Sequence, residues 1–181
     1  DITATDANSN VTSKTANVTS SGTAIGSLTY DLAGNLLNDG TRTYEWDAAN
    51  RLIAINYTGQ GSAKTQFTYD GLGRRVQITE IDNTGATTSV AKFVWEGLSI
   101  AEERDNSGTV TKRFYSQGEH KSPSTTLLYR RDHLGSVRET TNSSGTMQAR
   151  IDYDLWGNRT VLSGAGTSEA TFGYTSHHFH S

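Results

Sequence analysis

From Thr65 the chain alternates polar and apolar residues, Gln66-Phe67-Thr68-Tyr69. It breaks at Asp70-Gly71-Leu72-Gly73 and resumes as Arg74-Arg75-Val76-Gln77-Ile78-Thr79. A period of two places alternate side chains on opposite faces of a strand, so these are two half-buried strands around a tight turn. Val90–Trp95 and Val110–Tyr115 alternate in the same way and are rich in β-branched and aromatic residues. No stretch repeats apolar residues at intervals of three and four over a helix length. The breaks share one form: an acid or amide, then Gly or Asn three positions later. It occurs at Asp31/Gly34, Asp47/Asn50, Asp70/Gly73, Asp82/Gly85, Asp105/Gly108, Asp132/Gly135, Asn142/Gly145 and Asp154/Gly157. The acid caps its own turn, and Gly or Asn takes the positive φ with which the chain re-enters the ladder. Spacings of 10 to 27 residues suit strand, turn, strand. The pattern predicts an all-β fold of repeated antiparallel β-hairpins, roughly a dozen to eighteen short strands in a twisted, spiralling sheet.

Composition refines this picture. Of 181 residues 33% are hydrophobic, so the core is thin or drawn out, and 18 glycines against one proline fit many turns. The net charge of −3 is dispersed without a Lys/Arg cluster, which argues against nucleic acid as a partner. The absence of cysteine excludes disulfides and thiolate metal sites. No apolar run is long enough for a membrane-spanning segment. The chain begins at Asp1 and reads as an excised piece, whose export signal could lie outside it.

Residues 1–27 are polar, a poorly packed remnant of the repeat, in which Asp6–Val11 is a faint copy of the turn. Residues 28–181 carry the repeat proper. Within them 116–126, with Pro123, reads as a surface loop. An aromatic residue precedes several turn acids, and successive rings are expected to stack on one another at the strand ends. Facing outward, Tyr30, Trp46, Tyr69, Trp95, Tyr153 and Trp156 would instead form a glycan-binding surface. His177, His178 and His180 are candidate metal ligands: His178 and His180 share a face if the C-terminus is a strand, and a divalent metal there, with Asp132 or Asp154, would make a metal-dependent hydrolase. Asp132, His133 and Ser136 resemble a nucleophile set only in composition, because neighbours in one turn lack the mutual geometry.

Tyr30–Leu36 and Tyr44–Leu52 resemble the repeat of the Rhs and YD-repeat family, a Tyr-Asp pair followed by Gly and Asn or Arg. Tyr129–Arg138 is similar to the family's most recognisable motif, and Tyr153–Asn158 and Phe172–Ser176 resemble the two that follow it. Leu155 and Ser176 stand where proline and glycine are expected, which would loosen those turns. The resemblance implies a spiralling sheet that, in full-length members, winds into a shell around a C-terminal effector in polymorphic and Tc toxins, or serves adhesion in teneurins. It also implies a secreted or cell-surface bacterial protein, with the remainder of a larger Rhs-type chain or other copies of itself as partners. The chain stops before the segment that carries the family's core signature and self-cleavage site, so the resemblance implies neither self-proteolysis nor a toxin here. The first reading is a structural and interaction module rather than an enzyme. A metal-dependent hydrolase and a carbohydrate-binding module are the alternatives.

Overall fold

A computed structural model describes residues 2–5, 11–14, 28–164 and 166–178. Near the N-terminus β1 (Ile2–Thr5) and β2 (Val11–Lys14) form an antiparallel hairpin, while the faint turn copy between them lies outside the described residues. Fourteen further strands make one sheet. They are β3 (Thr29–Tyr30), β4 (Leu36–Asn38), β5 (Arg42–Trp46), β6 (Leu52–Tyr57), β7 (Lys64–Tyr69), β8 (Arg75–Ile81), β9 (Thr87–Glu96), β10 (Ser99–Arg104), β11 (Val110–Tyr115), β12 (Gly118–Lys121), β13 (Thr125–Arg131), β14 (Val137–Thr141), β15 (Met147–Tyr153) and β16 (Arg159–Ser163). Each strand pairs antiparallel with its neighbours in sequence, and β3 and β16 are the outer strands of an open, twisted sheet.

The eight expected turns all form, and by one mechanism. In each, the N–H of the Gly or Asn donates to the carbonyl of the turn acid or amide, whose own N–H donates to the carbonyl four residues on. This is a type I turn closed by a bulge, and the register slips there: Thr68 faces Gln77, but Tyr69 faces Arg75. The side chain completes the turn. Asp70 Oδ1 accepts from the N–H of Leu72 and of Arg74, both at 2.9 Å, and Asn142 accepts at the same two places without a charge. Asn50, with φ 57°, takes the left-handed role that glycine has elsewhere. With Leu155 in place of proline, the Asp154 turn still keeps both backbone bonds.

One face of the sheet is the inside. Phe67, Ile78 and Ala91 lie opposite one another on β7, β8 and β9, and Phe67, Ile78 and Phe93 form a first core with Leu52, Ile55, Tyr69 and Trp95 against it. Val137, Ile151 and Ala170 form a second, beside Tyr129, Tyr153 and Phe172. Ala170 and Phe172 belong to no strand. After β16 the chain crosses the inner face of the C-terminal half as a strap, residues 166–178, with single 3-10 turns at Gly166–Ser168 and Tyr174–Ser176. Among the described residues the strap stands where a strand was expected, with an isolated bridge between Phe172 and His178, and the rest of that expected strand lies outside them.

The surface loop expected over 116–126 is absent. Those residues are β12 and the start of β13, joined to their neighbours by tight turns at Ser116-Gln117 and Ser122-Pro123. Polar composition misled here because Glu119 faces inward with 1% of its surface exposed, its carboxylate met by the distant Thr171 and by Lys121 of the same strand.

Candidate functional site

In a meander the connections alternate between the two ends of the strands, so the turns fall on two rims. Turns at 31–34, 47–50, 70–73, 97–98, 116–117, 132–135 and 154–157 share one rim; those at 82–85, 105–108 and 142–145 lie on the other. Aromatics before the acid occur on the first rim alone: Tyr30, Trp46, Tyr69 and Tyr153. The second has Ile81, Arg104 and Thr141 at that position. Eight turns of one backbone geometry therefore carry two kinds of side-chain chemistry.

On the aromatic rim four of the six junctions between successive hairpins are tied by an indole or a phenol. Trp46 Nε1 donates to Leu36 O at 2.8 Å, the Tyr69 hydroxyl to Leu52 O at 2.8 Å, Trp95 Nε1 to Arg75 O at 3.0 Å and the Tyr153 hydroxyl to Val137 O at 3.0 Å. Every acceptor is the fifth residue after a turn acid. Burial raises the Tyr69 and Tyr153 phenols above their ordinary values. Guanidinium groups, not the rings of the adjacent turns, cover Tyr69, Trp95 and Tyr153, and Tyr153 also meets Tyr174 of the strap with ring centres 5.7 Å apart. Arg51 holds Asp47 Oδ2 at 2.7 Å and lies 5.0 Å from the centre of the Tyr69 ring. Arg74 repeats this with Asp70 and Trp95, and donates to Gly97 O at 2.9 Å. Planar cations suit this position, since they bind the carboxylate through their edge and the ring through their face.

The six aromatics named from the sequence thus separate. Trp46, Tyr69, Trp95 and Tyr153 are half-buried in this ladder, whereas Tyr30 is 55% and Trp156 88% exposed. Hydrogen bonds from their turns hold the aspartates below the usual carboxylate range. For Asp31 and Asp154 the largest cause is the side-chain amide of Asn35 or Asn158; for Asp70 and Asp132 partial burial pulls upward and backbone N–H groups outweigh it.

Asp132 accepts from Leu134 and Ser136 N–H groups, His133 is exposed, and Ser136 is fully buried with its Oγ accepting from Thr175 N at 3.0 Å. Asp132 and Ser136 therefore serve the turn and the strap. Asp154 caps its own turn on the surface. His177 and His178 diverge: His177 is exposed beside Thr175, and His178 stands edge-on to Phe93 at 5.1 Å. His180 lies outside the described residues. Among the described residues no three His, Cys, Asp or Glu side chains converge as a metal site would require.

Sequence reasoning missed a buried carboxylate under the strap. Glu119 accepts from Thr171 N at 3.0 Å and Thr171 Oγ1 at 2.6 Å, with Lys121 Nζ 3.6 Å away. Burial lowers the Lys121 ammonium, opposed by Glu119, and the same burial pushes the Tyr129 phenol well up. Thr140 donates to Ser168 O at 2.7 Å, and Arg159 pairs with Glu169. At the far end of the strap Ser176 takes φ 59° where the motif has glycine, and its Oγ donates to Gly135 O at 2.7 Å. The available signal was the alternation of Glu119 and Lys121 on a short segment between two strand-forming runs, Val110–Tyr115 and Thr125–Arg131.

Neighbour-only pairing, a rim tied between hairpins and an unclosed sheet define a structural β-repeat module. The chain belongs to the Rhs/YD-repeat family. The RHS Repeat family model matches residues 46–88. The tRNA3(Ser)-specific nuclease WapA of Bacillus spizizenii is 32% identical over 142 residues, which are 74% of this chain and 6% of that protein. The double-stranded DNA deaminase toxin A of Burkholderia cenocepacia is 27% identical over 161 residues, 71% of this chain and 11% of that one. A TcdB2-TccC3-TEV crystal structure superposes with a TM-score of 0.60 at 13% identity, covering 82% of this chain and 8% of the other, and so shares the fold. The chain spans about a tenth or less of the length of each relative.

Proposed function

We propose that this chain is one stretch of the wall of a Rhs-type β-shell, a non-enzymatic module that encloses or presents an effector carried elsewhere in a longer, exported bacterial chain. The carrying observation is the open sheet: among the described residues β3 and β16 have no outer partner, and every inner strand pairs only with its sequence neighbours. Such a sheet extends by adding hairpins at either end, and its unpaired outer strands invite that continuation. The nuclease and deaminase names of the relatives belong to proteins of which this chain matches a small part.

Thermal unfolding with and without a chelator, together with an assay for hydrolysis of RNA, DNA and simple esters, tests this reading. The wall stretch unfolds identically in both conditions and turns nothing over. A transition lowered by the chelator, with hydrolysis abolished by His178→Ala or Asp154→Ala, would replace it with the metal-dependent hydrolase. Glycan binding abolished by Trp156→Ala would replace it with the carbohydrate-binding module.

A further inference from the structure

The two rims differ at their tips as well as behind them. On the aromatic rim five of the seven turns carry large apolar tips, Leu32, 109% exposed, Leu72, 79%, Leu98, 93%, Leu134, 56%, Leu155, 94%, and Trp156, 88%, while the other two carry Ala48-Ala49 and Ser116-Gln117. The corresponding pairs on the other rim are Asn83-Thr84, Asn106-Ser107 and Ser143-Ser144. Turn tips are normally polar, and turn geometry demands no leucine there. Burial does not explain these leucines either, since they lie outside both cores.

We infer that the aromatic rim is an association surface whose partner is the same rim of a second copy of this chain. Two observations select that partner, the period of the tips and their apolar area. Successive tips are two strand widths apart, about 10 Å, and another rim of this repeat presents apolar side chains at the matching period. Of the turn acids behind the tips Asp47 and Asp70 are neutralised within each copy by Arg51 and Arg74, while Asp31, Asp132 and Asp154 are held by the hydrogen bonds of their own turns, so like charge opposes the contact and the association strengthens with salt. The six side chains together offer apolar surface on the order of 600 to 1,000 Å², above the largest patch of an ordinary monomer and near the roughly 800 Å² that each partner gives to a stable interface. A ridge of this kind would let one course of repeats seat against another, a contact separate from strand pairing at β3 and β16.

Sedimentation velocity from roughly 1 to 100 µM protein reads the association, for which a micromolar dissociation constant is expected. Leu72→Ser with Leu98→Ser, and separately Trp156→Ser, each weaken it by at least about tenfold, a change of ~1.4 kcal/mol. Both variants should keep the parent melting temperature, because exposed tip positions contribute little to folding. Leu162→Lys, which places a charge on the outer strand β16, leaves the dissociation constant unchanged. A chain that stays monomeric at the highest concentration overturns the inference. So does an association that survives both tip variants or is abolished by Leu162→Lys.

Discussion

The two halves of the sheet bury their side chains by different means. From β3 to β9 the inner face carries a single layer of apolar residues around Phe67, Ile78 and Phe93, and the hairpins are held in line at the rim by arginines shared between a turn acid and the next ring. From β10 to β16 the strap covers that face, and its end reaches β9, where His178 stands edge-on to Phe93. Among the described residues eight side chains are less than 2% exposed: Leu127, Ile151, Glu119, Val137, Ala149, Thr65, Thr140 and Ser136, of which only Thr65 lies outside the strapped half. A second layer thus does what a longer run of the same repeat would not, and it permits a buried carboxylate. The repeat supplies alignment, while full burial needs a segment that leaves the repeat.

The largest expected effects come from removing the centre of each half. Glu119→Ala strands the buried N–H and hydroxyl of Thr171 and should cost about 3 kcal/mol. Phe67→Ala should cost about 3 to 4 kcal/mol by emptying the first core, which the strap touches only at its His178 end. Hydrogen exchange separates them: the first variant exposes residues 166–178 and leaves β6–β8 protected, and the second does the reverse. Simultaneous loss of both regions in either variant would show that the halves are one cooperative unit.

A smaller contrast comes from two glycines in equivalent turns. Gly34 has φ 87° and open space where a Cβ would stand, so Gly34→Ala should cost about 1 kcal/mol for the left-handed backbone alone. At Gly157, φ 83°, a Cβ would come 3.0 Å from the Tyr174 ring, so Gly157→Ala should cost roughly twice as much. Chemical denaturation curves of the pair measure what the strap adds at this turn.

Acid gives the mildest test. The turn carboxyls are held below their ordinary value of 3.8, so the stability they contribute is present above that pH and is lost as the pH falls through the lowered values. Below about pH 4 the turns at Asp31, Asp47 and Asp70 should loosen before those at Asp132 and Asp154, which the strap also holds through Gly135 and Gly157. Exchange at Ala33 and Leu72 N–H, compared with Leu134 and Trp156, reads the order. Asn142 has no charge to lose and serves as the internal control.

Local structure was written in the residues, because a hairpin turn is a contact among five consecutive positions. Asp70 to Arg74 contains its own cap, its own glycine and its own closing bond, and so the eight turns, the all-β class and the resemblance in Tyr129–Arg138 were legible. What was not legible depended on partners far along the chain. Tyr69 looks alike whether it stacks on a ring or under Arg51, and nothing near Glu119 announces Thr171, 52 residues away. Which rim a turn occupies follows from the parity of the strands before it, so a single missed strand such as β12 reassigns every later turn. The split into an aromatic rim and a polar one therefore emerged with the folded sheet, because it arises when distant hairpins lie side by side.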